Sequence, residues 1–370
     1  MTFWKNQPVP QTRNELEETN GLIREAVNIS KNPCKLPVGM YWVSLDLTNE
    51  TTLNEIYILL KNNYVADANE TVRFDYSKDF LKWALSSPNL TLICGIKQFG
   101  NSNLISIITG TQEITKCKDV HVKVLAINFL CVHKNFRLHG ITPLMIQEIT
   151  RQANLHNILV ATYTSGTFLP TPICTTKYWH RTLNSKNLLD FDFIPKLNLQ
   201  ELIKKMKLPS KVSTNGWRSI QITDSKQVCE LLNKSKYKLQ RIFETQDIEY
   251  LFKNIPKVIS SYVVENNGII TDFGSFYQVS LHNLNKQNII SISYCYYYAH
   301  TTISLETLIQ NLLIESNNQK CDVFNCLDIM DNVSFFENLK FDIGTGNLNY
   351  YLYNYGLGKC NPNDVGVIFL

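Results

Sequence analysis

The sequence spells one succession of elements twice. Residues 42–47 (Trp-Val-Ser-Leu-Asp-Leu) alternate apolar and polar positions as a half-buried strand does, reach Thr48-Asn49-Glu50, and continue into a helix carrying Leu53, Ile56, Tyr57, Leu59 and Leu60. Residues 217–222 alternate likewise, reach Thr223-Asp224-Ser225, and continue into a helix carrying Val228, Leu231 and Leu232. A hairpin follows each unit, the first around Gly100-Asn101 and the second around Asn266-Asn267-Gly268. Each hairpin leads into another strand and another amphipathic helix. In the second half the strand covers residues 289–298, and Leu305, Leu308, Ile309, Leu312 and Leu313 then fall at i, i+3, i+4, i+7 and i+8. A duplicated order with diverged residues predicts two like α/β halves. The polar run 204–216, with Pro209 and Gly216, predicts the seam, dividing the chain into 1–205 and 206–370.

In the first half the second strand and helix are the most informative stretch. Residues 122–132 are largely apolar, as a central strand requires. Lys134, Arg137, His139 and Gly140 form a turn, and Ile141, Leu144, Met145, Ile149 and Ala153 repeat with helical spacing, Pro143 being tolerated in a first turn. A glycine-containing basic turn at a helix N-terminus suits a phosphate, because unpaired backbone N–H groups and the helix dipole point at it. The turn alone is equally compatible with a solvated basic loop.

Composition removes several classes. A net charge of +4 with scattered Lys and Arg gives no footprint for a nucleic-acid partner. No stretch approaches a membrane span, and the N-terminus has no signal-peptide pattern. The ten cysteines are irregularly spaced, and the closest pair, Cys321 and Cys326, fits no common zinc site. Reduced thiols, a cytoplasmic location and no metal are the expectation.

Strand–helix–hairpin–strand–helix is the element order of the acyl-CoA N-acyltransferase (GNAT) superfamily. Its pyrophosphate-binding turn, Arg/Gln-x-x-Gly-x-Gly/Ala, resembles Arg137-Leu138-His139-Gly140-Ile141-Thr142, with Thr142 in place of the last small residue. Two such halves, with more specific words, resemble the glycylpeptide N-tetradecanoyltransferase (N-myristoyltransferase) family over nearly the whole chain. The words are Phe3-Trp4-x-x-Gln7-Pro8-Val9-Pro10, Asn63-Tyr64-Val65, Arg73-Phe74-Asp75-Tyr76-Ser77 and Ile127-Asn128-Phe129-Leu130-Cys131-Val132-His133-Lys134. Further on stand Tyr163-Thr164, Tyr178-Trp179-His180-Arg181, Gly346-Asn347-Leu348 and the ending Val365-Gly366-Val367-Ile368-Phe369-Leu370.

The resemblance implies an α/β fold with a mixed sheet, in which two tandem GNAT-like halves related by a pseudo-twofold axis form one saddle-shaped unit. The first half would bind acyl-CoA and the second the peptide, with the C-terminus returning to the site. It implies transfer of a tetradecanoyl group from myristoyl-CoA, a co-substrate, to the amine of an N-terminal glycine, without a cofactor or metal, by a monomer. The main-chain amides of Phe129 and Leu130 would form the oxyanion hole, Leu370 would supply its α-carboxylate as base, and Asn128 and Thr164 would assist. Outward amides in a strand require a broken ladder, which predicts a bulge or splay at Phe129–Leu130. Acyl-CoA would be covered by Thr2, Phe3 and Trp4 and held along Phe129, Leu130, Cys131 and Val132. Its phosphates would meet Lys134, Arg137, Leu138, His139, Gly140, Ile141 and Thr142. Tyr64, Asp67, Phe74, Tyr76, Tyr163, Tyr178, His180 and Tyr297 would line the peptide groove.

The chain departs from the family pattern at named places. Ala126 stands where a Glu opens the first signature, Leu138-His139-Gly140 replaces a more cationic turn, and Thr345 stands where an Asp is usual. The loop after Val65 reads Ala66-Asp67-Ala68-Asn69-Glu70 in place of a run of acids. Weaker, more salt-sensitive CoA binding and a weaker preference for basic peptides are expected. A basic N-terminal extension is also missing from the sequence. A catalytically silent acyl-CoA or N-terminal-glycine binding protein is the alternative that these departures raise. An acetyltransferase of the same superfamily is disfavoured by the two-half layout.

Overall fold

The computed structural model describes residues 2–26, 28–65, 71–195 and 198–370. The first half contains β1 (Met40–Ser44), α1 (Glu50–Asn63), β2 (Val72–Asp75), α2 (Lys78–Leu85), β3 (Thr91–Gln98), β4 (Asn101–Cys117), β5 (Val120–Val132), α3 (Ile141–Leu155), β6 (Val160–Ser165) and β7 (Cys174–Thr182). The second repeats the order with β8 (Trp217–Ser219), α4 (Ser225–Asn233), β9 (Leu239–Ile242), α5 (Thr245–Leu251), β10 (Ile259–Asn266), β11 (Ile269–Asn283), β12 (Asn288–Ala299), α6 (Leu305–Asn318), β13 (Val323–Leu327) and β14 (Asp342–Tyr353). Local chemistry sets the helix starts: Asn49, Ser77 and Ser304 cap α1, α2 and α6 by accepting first-turn N–H groups. The strand expected over 217–222 is shorter, because Asp224 accepts the Gln221 N–H and both Arg218 terminal nitrogens and winds residues 222–224 into a 3-10 turn.

The two halves share one mixed sheet and exchange strands symmetrically. β4 pairs with β3 along its first part and with β9 of the other half along its last. β11 pairs with β10 along its first part and with β2 of the other half along its last. In the middle, β14 lies between β6 and β7, and β7 lies between β14 and β13. The apolar stripe of α6 is fully engaged, with Leu308, Ile309, Leu312 and Leu313 at 0 % exposure. Side chains of α1, α2 and α4 join Tyr277, Tyr296 and Tyr297 in one core that spans both halves.

The parallel pairs β5–β6 and β12–β13 touch over only three residues each, Val124–Ala126 against Val160–Thr162 and Ile292–Tyr294 against Val323–Asn325. Beyond them the strands separate. In the first half this opening holds a large cavity. Both long hairpins also carry a bulge at equivalent places. Ile107 pairs with Cys131 and Thr109 with Asn128, so Ile108 faces both Phe129 and Leu130. Gly274 pairs with Tyr298 and Phe276 with Cys295, so Ser275 faces both Tyr296 and Tyr297.

Candidate active site

The ladder breaks at Phe129–Leu130, where the resemblance predicts a bulge. Phe129 and Leu130 are skipped by β4, and β6 has left β5 after Ala126. Their amides are therefore outside both ladders. Phe129 has φ 47°, a left-handed conformation that is rare for a bulky side chain and costs on the order of 1–3 kcal/mol. Two contacts hold it there. The Thr109 hydroxyl donates to the Asn128 carbonyl at 2.9 Å. The Phe129 ring, 1 % exposed, packs on Tyr64 and Tyr76 with centroids 5.8 and 5.3 Å away. Burying a ring of that size is worth about 1.5–3 kcal/mol, enough to offset the strain. Burial pushes the Tyr64 phenol well above its ordinary pKa, opposed by a hydrogen bond from the Phe129 backbone.

The end of the chain reaches the same place. Residues Val365–Gly366 pair in parallel with β9, and a Cβ on Gly366 would lie 2.3 Å from the Tyr237 ring, so only glycine passes. The Ile368 N–H then donates to the Tyr297 hydroxyl at 2.9 Å, and the Tyr277 hydroxyl donates to the Phe369 carbonyl at 3.4 Å. The Phe369 ring packs edge-on to Tyr350 at 5.8 Å. Phe369 and Leu370 line a cavity of about 650 Å³ together with Asn128, Phe129, Leu130 and Thr164. This size is ordinary for a small-molecule site. Much of its first-half wall is apolar, with Ile108, Leu125 and Ile127 from the sheet and Ile146, Ile149 and Ala153 from α3, beside Thr150 and Asn154 of the same helix.

Trp4, Tyr163 and Tyr351 make a three-ring stack at this wall, with centroids 6.0 and 4.9 Å apart and planes within 13°. The arm is clasped there by the Tyr353 hydroxyl, which donates to Gln7 at 2.7 Å, and by Gly21–Leu22 pairing with Tyr355–Gly356. Trp4 lines the cavity and Phe3 packs edge-on to Trp4 at 5.3 Å. The Thr2 side chain and Asp67 lie outside the described residues.

Tyr64, Phe74, Tyr76, Tyr163, Tyr178 and His180 also line the cavity, joined by Asn325. The His180 Nδ1 meets the Asn325 Oδ1 at 2.6 Å, which places the proton on Nδ1 and leaves Nε2 as the acceptor. Burial lowers the imidazole pKa, opposed by Asn325, so the ring is neutral at pH 7. The approach of β14 is equally tight: a Cβ on Gly344 would lie 2.3 Å from His180 Nε2. Tyr297 is placed elsewhere. It is 3 % exposed, outside the cavity wall, behind the C-terminal tail. A period-two reading of residues 294–298 cannot find this, because the bulge reverses the alternation.

The basic turn stands apart from the cavity wall. His133 caps a 3-10 turn over Lys134–Phe136, and the Lys134 N–H donates to the Asn63 side chain at 3.0 Å. The Arg137 guanidinium donates to the carbonyls of Asn63 and Val132, tying the turn to the end of α1. No local pattern signals that link. Leu138 has φ 66° and is fully exposed, and His139 Nδ1 lies 2.8 Å from the Arg137 carbonyl. Gly140, with φ 74°, opens α3; nothing would meet a Cβ there, so the glycine serves the conformation and not the space. The first-turn amides of Ile141 and Thr142 have no preceding helical carbonyl to bond. Cys131 and Val132 are buried in the cores on either side of β5. Burial pushes the Cys131 thiol up to about 12, which leaves it protonated.

The second half keeps the same turn but fills it. The Asp272 carboxylate, wholly buried, accepts the N–H groups of Thr301, Thr302 and Ile303 at 2.7, 3.0 and 3.2 Å and the Thr302 hydroxyl. An internal carboxylate thus sits ahead of α6 where the first half leaves its turn open. Among the described residues no group of three or more His, Cys, Asp or Glu is disposed to hold a metal.

Residues 22–176 match the model of the Myristoyl-CoA:protein N-myristoyltransferase N-terminal domain, and residues 191–368 that of its C-terminal domain. A probable glycylpeptide N-tetradecanoyltransferase of Caenorhabditis elegans is 40% identical over 384 residues, covering 99% of this chain and 85% of the relative. The crystal structure of Saccharomyces cerevisiae N-myristoyltransferase with bound myristoyl-CoA superposes with a TM-score of 0.93 at 34% identity, covering 100% of this chain and 99% of that one. A GCN5-related N-acetyltransferase from Anabaena variabilis, at 8% identity and a TM-score of 0.50 over 85% of this chain and 72% of that one, shares the fold.

Proposed function

The chain belongs to the Myristoyl-CoA:protein N-myristoyltransferase family, and we propose how its residues divide the transfer of a tetradecanoyl group from CoA to the amine of an N-terminal glycine. The observation that carries the proposal is the meeting of Leu370 with Phe129 and Leu130 at one cavity. The glycine amine, with an ordinary pKa of about 7.7–8.0, is largely protonated at neutral pH and must lose a proton before it can attack. The Leu370 α-carboxylate takes that proton, with Thr164 and Asn128 beside the path. The free amine adds to the thioester carbonyl, and the amides of Phe129 and Leu130 stabilise the oxygen as it becomes negative. The carbon–sulfur bond then breaks, the nitrogen gives up its second proton as the amide forms, and that proton passes to the departing sulfur, so CoA leaves as the thiol.

In this reading residues 1–205 carry the acyl-CoA. The apolar wall between β5, β6 and α3 takes the tetradecanoyl chain, Phe3 and Trp4 cover it, and the turn from Lys134 to Thr142 faces the CoA phosphates. The peptide path runs between the halves: residues 206–370 bring Tyr277, Tyr294, Asn325 and the tail to it, and Tyr64, Phe74, Tyr76, Tyr163, Tyr178 and His180 face it from the first half. The site is completed by the tail of the same chain, which supports action as a monomer. Ten unpaired thiols, nine of them buried, suit the reducing cytoplasm.

The test is a transfer assay with tetradecanoyl-CoA and acetyl-CoA against an N-terminal-Gly peptide and its Ala variant. Tetradecanoyl transfer to the Gly peptide alone is the expected result. Acetyl transfer, or binding of both substrates without product, would overturn the reading.

A further inference from the structure

The two bulges are equivalent in the fold, yet only the first opens onto the cavity. In the second, Phe129 and Leu130 are replaced by Tyr296 and Tyr297, opposite Ser275. Each bulge is pinned by a hydroxyl donating to a carbonyl, at different positions: Thr109 to its pair partner Asn128, just before the first bulge, at 2.9 Å, and Ser275 to Tyr297, within the second, at 2.8 Å. The bulge turns Tyr297 out of the alternation of β12 and towards the C-terminal tail. Its ring is held edge-on by Phe243 at 4.9 Å and by Tyr296 at 4.6 Å. Its hydroxyl is the acceptor for the Ile368 N–H, two residues before the chain end. Burial pushes the phenol up to about 12, so it is a neutral, fixed acceptor throughout the working pH range.

We propose that Tyr297 is a positioning residue that mounts the C-terminal carboxylate, so that one bulge supplies the oxyanion amides and its pseudo-twofold mate supplies the seat of the base. This rests on the reading of Leu370 as the base. A chain end has few ties of its own, and most are frayed. Here the Ile368 amide is held at 2.9 Å by the Tyr297 hydroxyl, a shorter tie than the 3.4 Å one from the Tyr277 hydroxyl to the Phe369 carbonyl, and it sets the direction in which Leu370 leaves. Losing that anchor displaces the carboxylate without touching the acyl-CoA wall.

The experiment is a double-mutant cycle between Tyr297→Phe and deletion of Leu370. Y297F is expected to lower kcat about ten- to a hundredfold, as a misplacement near 1 Å does. Its KM for tetradecanoyl-CoA should stay within about twofold, since the ring is outside the cavity. On top of the Leu370 deletion the same change should cost less than about twofold further, because the carboxylate, now on Phe369, has already been withdrawn from the place to which Tyr297 directs it. Ile368→Pro removes the donor in place of the acceptor and should reproduce the kcat loss, which keeps the test usable if Y297F folds poorly. Wild-type kcat in both Y297F and I368P, or an equal loss with and without Leu370, would overturn the positioning role. Wild-type turnover after Leu370 deletion would instead overturn the base itself, so the two failures are distinct.

Discussion

Replacing Phe129 by alanine and by glycine should give an inverted order of stability. Both changes delete a ring that is 1 % exposed and packed on Tyr64 and Tyr76. Each therefore costs about 3–5 kcal/mol, the usual loss for emptying a buried phenylalanine site. The two variants differ only in backbone. In an ordinary strand glycine is the worse choice by about 0.5–1 kcal/mol, because the unfolded chain gains freedom. At φ 47° an alanine retains the left-handed penalty of about 1–2 kcal/mol that glycine lacks. The balance favours Phe129→Gly over Phe129→Ala by about 1 kcal/mol. Urea unfolding monitored by tryptophan fluorescence reads the difference, as a shift of midpoint at constant slope. An alanine variant as stable as the glycine variant, or more so, would refute the claim that the amides at Phe129–Leu130 are presented by a strained backbone.

Gly344→Ala would push a methyl to 2.3 Å from His180 Nε2, with the Tyr178 carbonyl 3.0 Å away and fixed in its strand. The imidazole must turn and give up Asn325; the peptide KM should rise about tenfold, roughly the worth of one hydrogen bond, while tetradecanoyl-CoA affinity measured by calorimetry stays unchanged. Asp272 is raised by burial but lowered overall by the Thr302 and Thr271 hydroxyls and the Thr301 and Ile303 amides. Its folded pKa lies below the unfolded value of about 3.9, so it stabilises the fold above that value and the contribution is lost as pH falls through the folded one. Asp272→Asn should therefore lower stability at pH 7 by about 1–3 kcal/mol and flatten the acid limb of a stability–pH curve; an unchanged acid limb would count against this role.

Local patterning made the elements legible. The stripe from Leu305 to Leu313, the turn at Asn266-Asn267-Gly268 and the duplicated order all appear in the fold, because helical and strand periods are written in neighbouring residues. The break at Phe129–Leu130 was expected from the family resemblance, which assigns a ligand-facing role to these amides, together with the chemistry that a ladder cannot offer its amides to a ligand. The left-handed φ was not, because no glycine marks it. Strand exchange was also hidden: β2 against β11 and β9 against β4 are pairings between distant segments, and a single sequence records no partner. Tyr297 was hidden by the same bulge that gives it its place. Nothing local separates Asp272 from any other strand-borne acid; only the fold brings three amides onto it.

The central claim is that the base is the terminal carboxylate. Replacing the Leu370 carboxylate by a carboxamide, through ligation of a synthetic C-terminal peptide, removes the charge and basicity while leaving every side chain in place. The account predicts a fall in kcat of about 10²–10⁴, the range of general-base catalysis, with tetradecanoyl-CoA affinity preserved. Wild-type kcat in the carboxamide enzyme would contradict it.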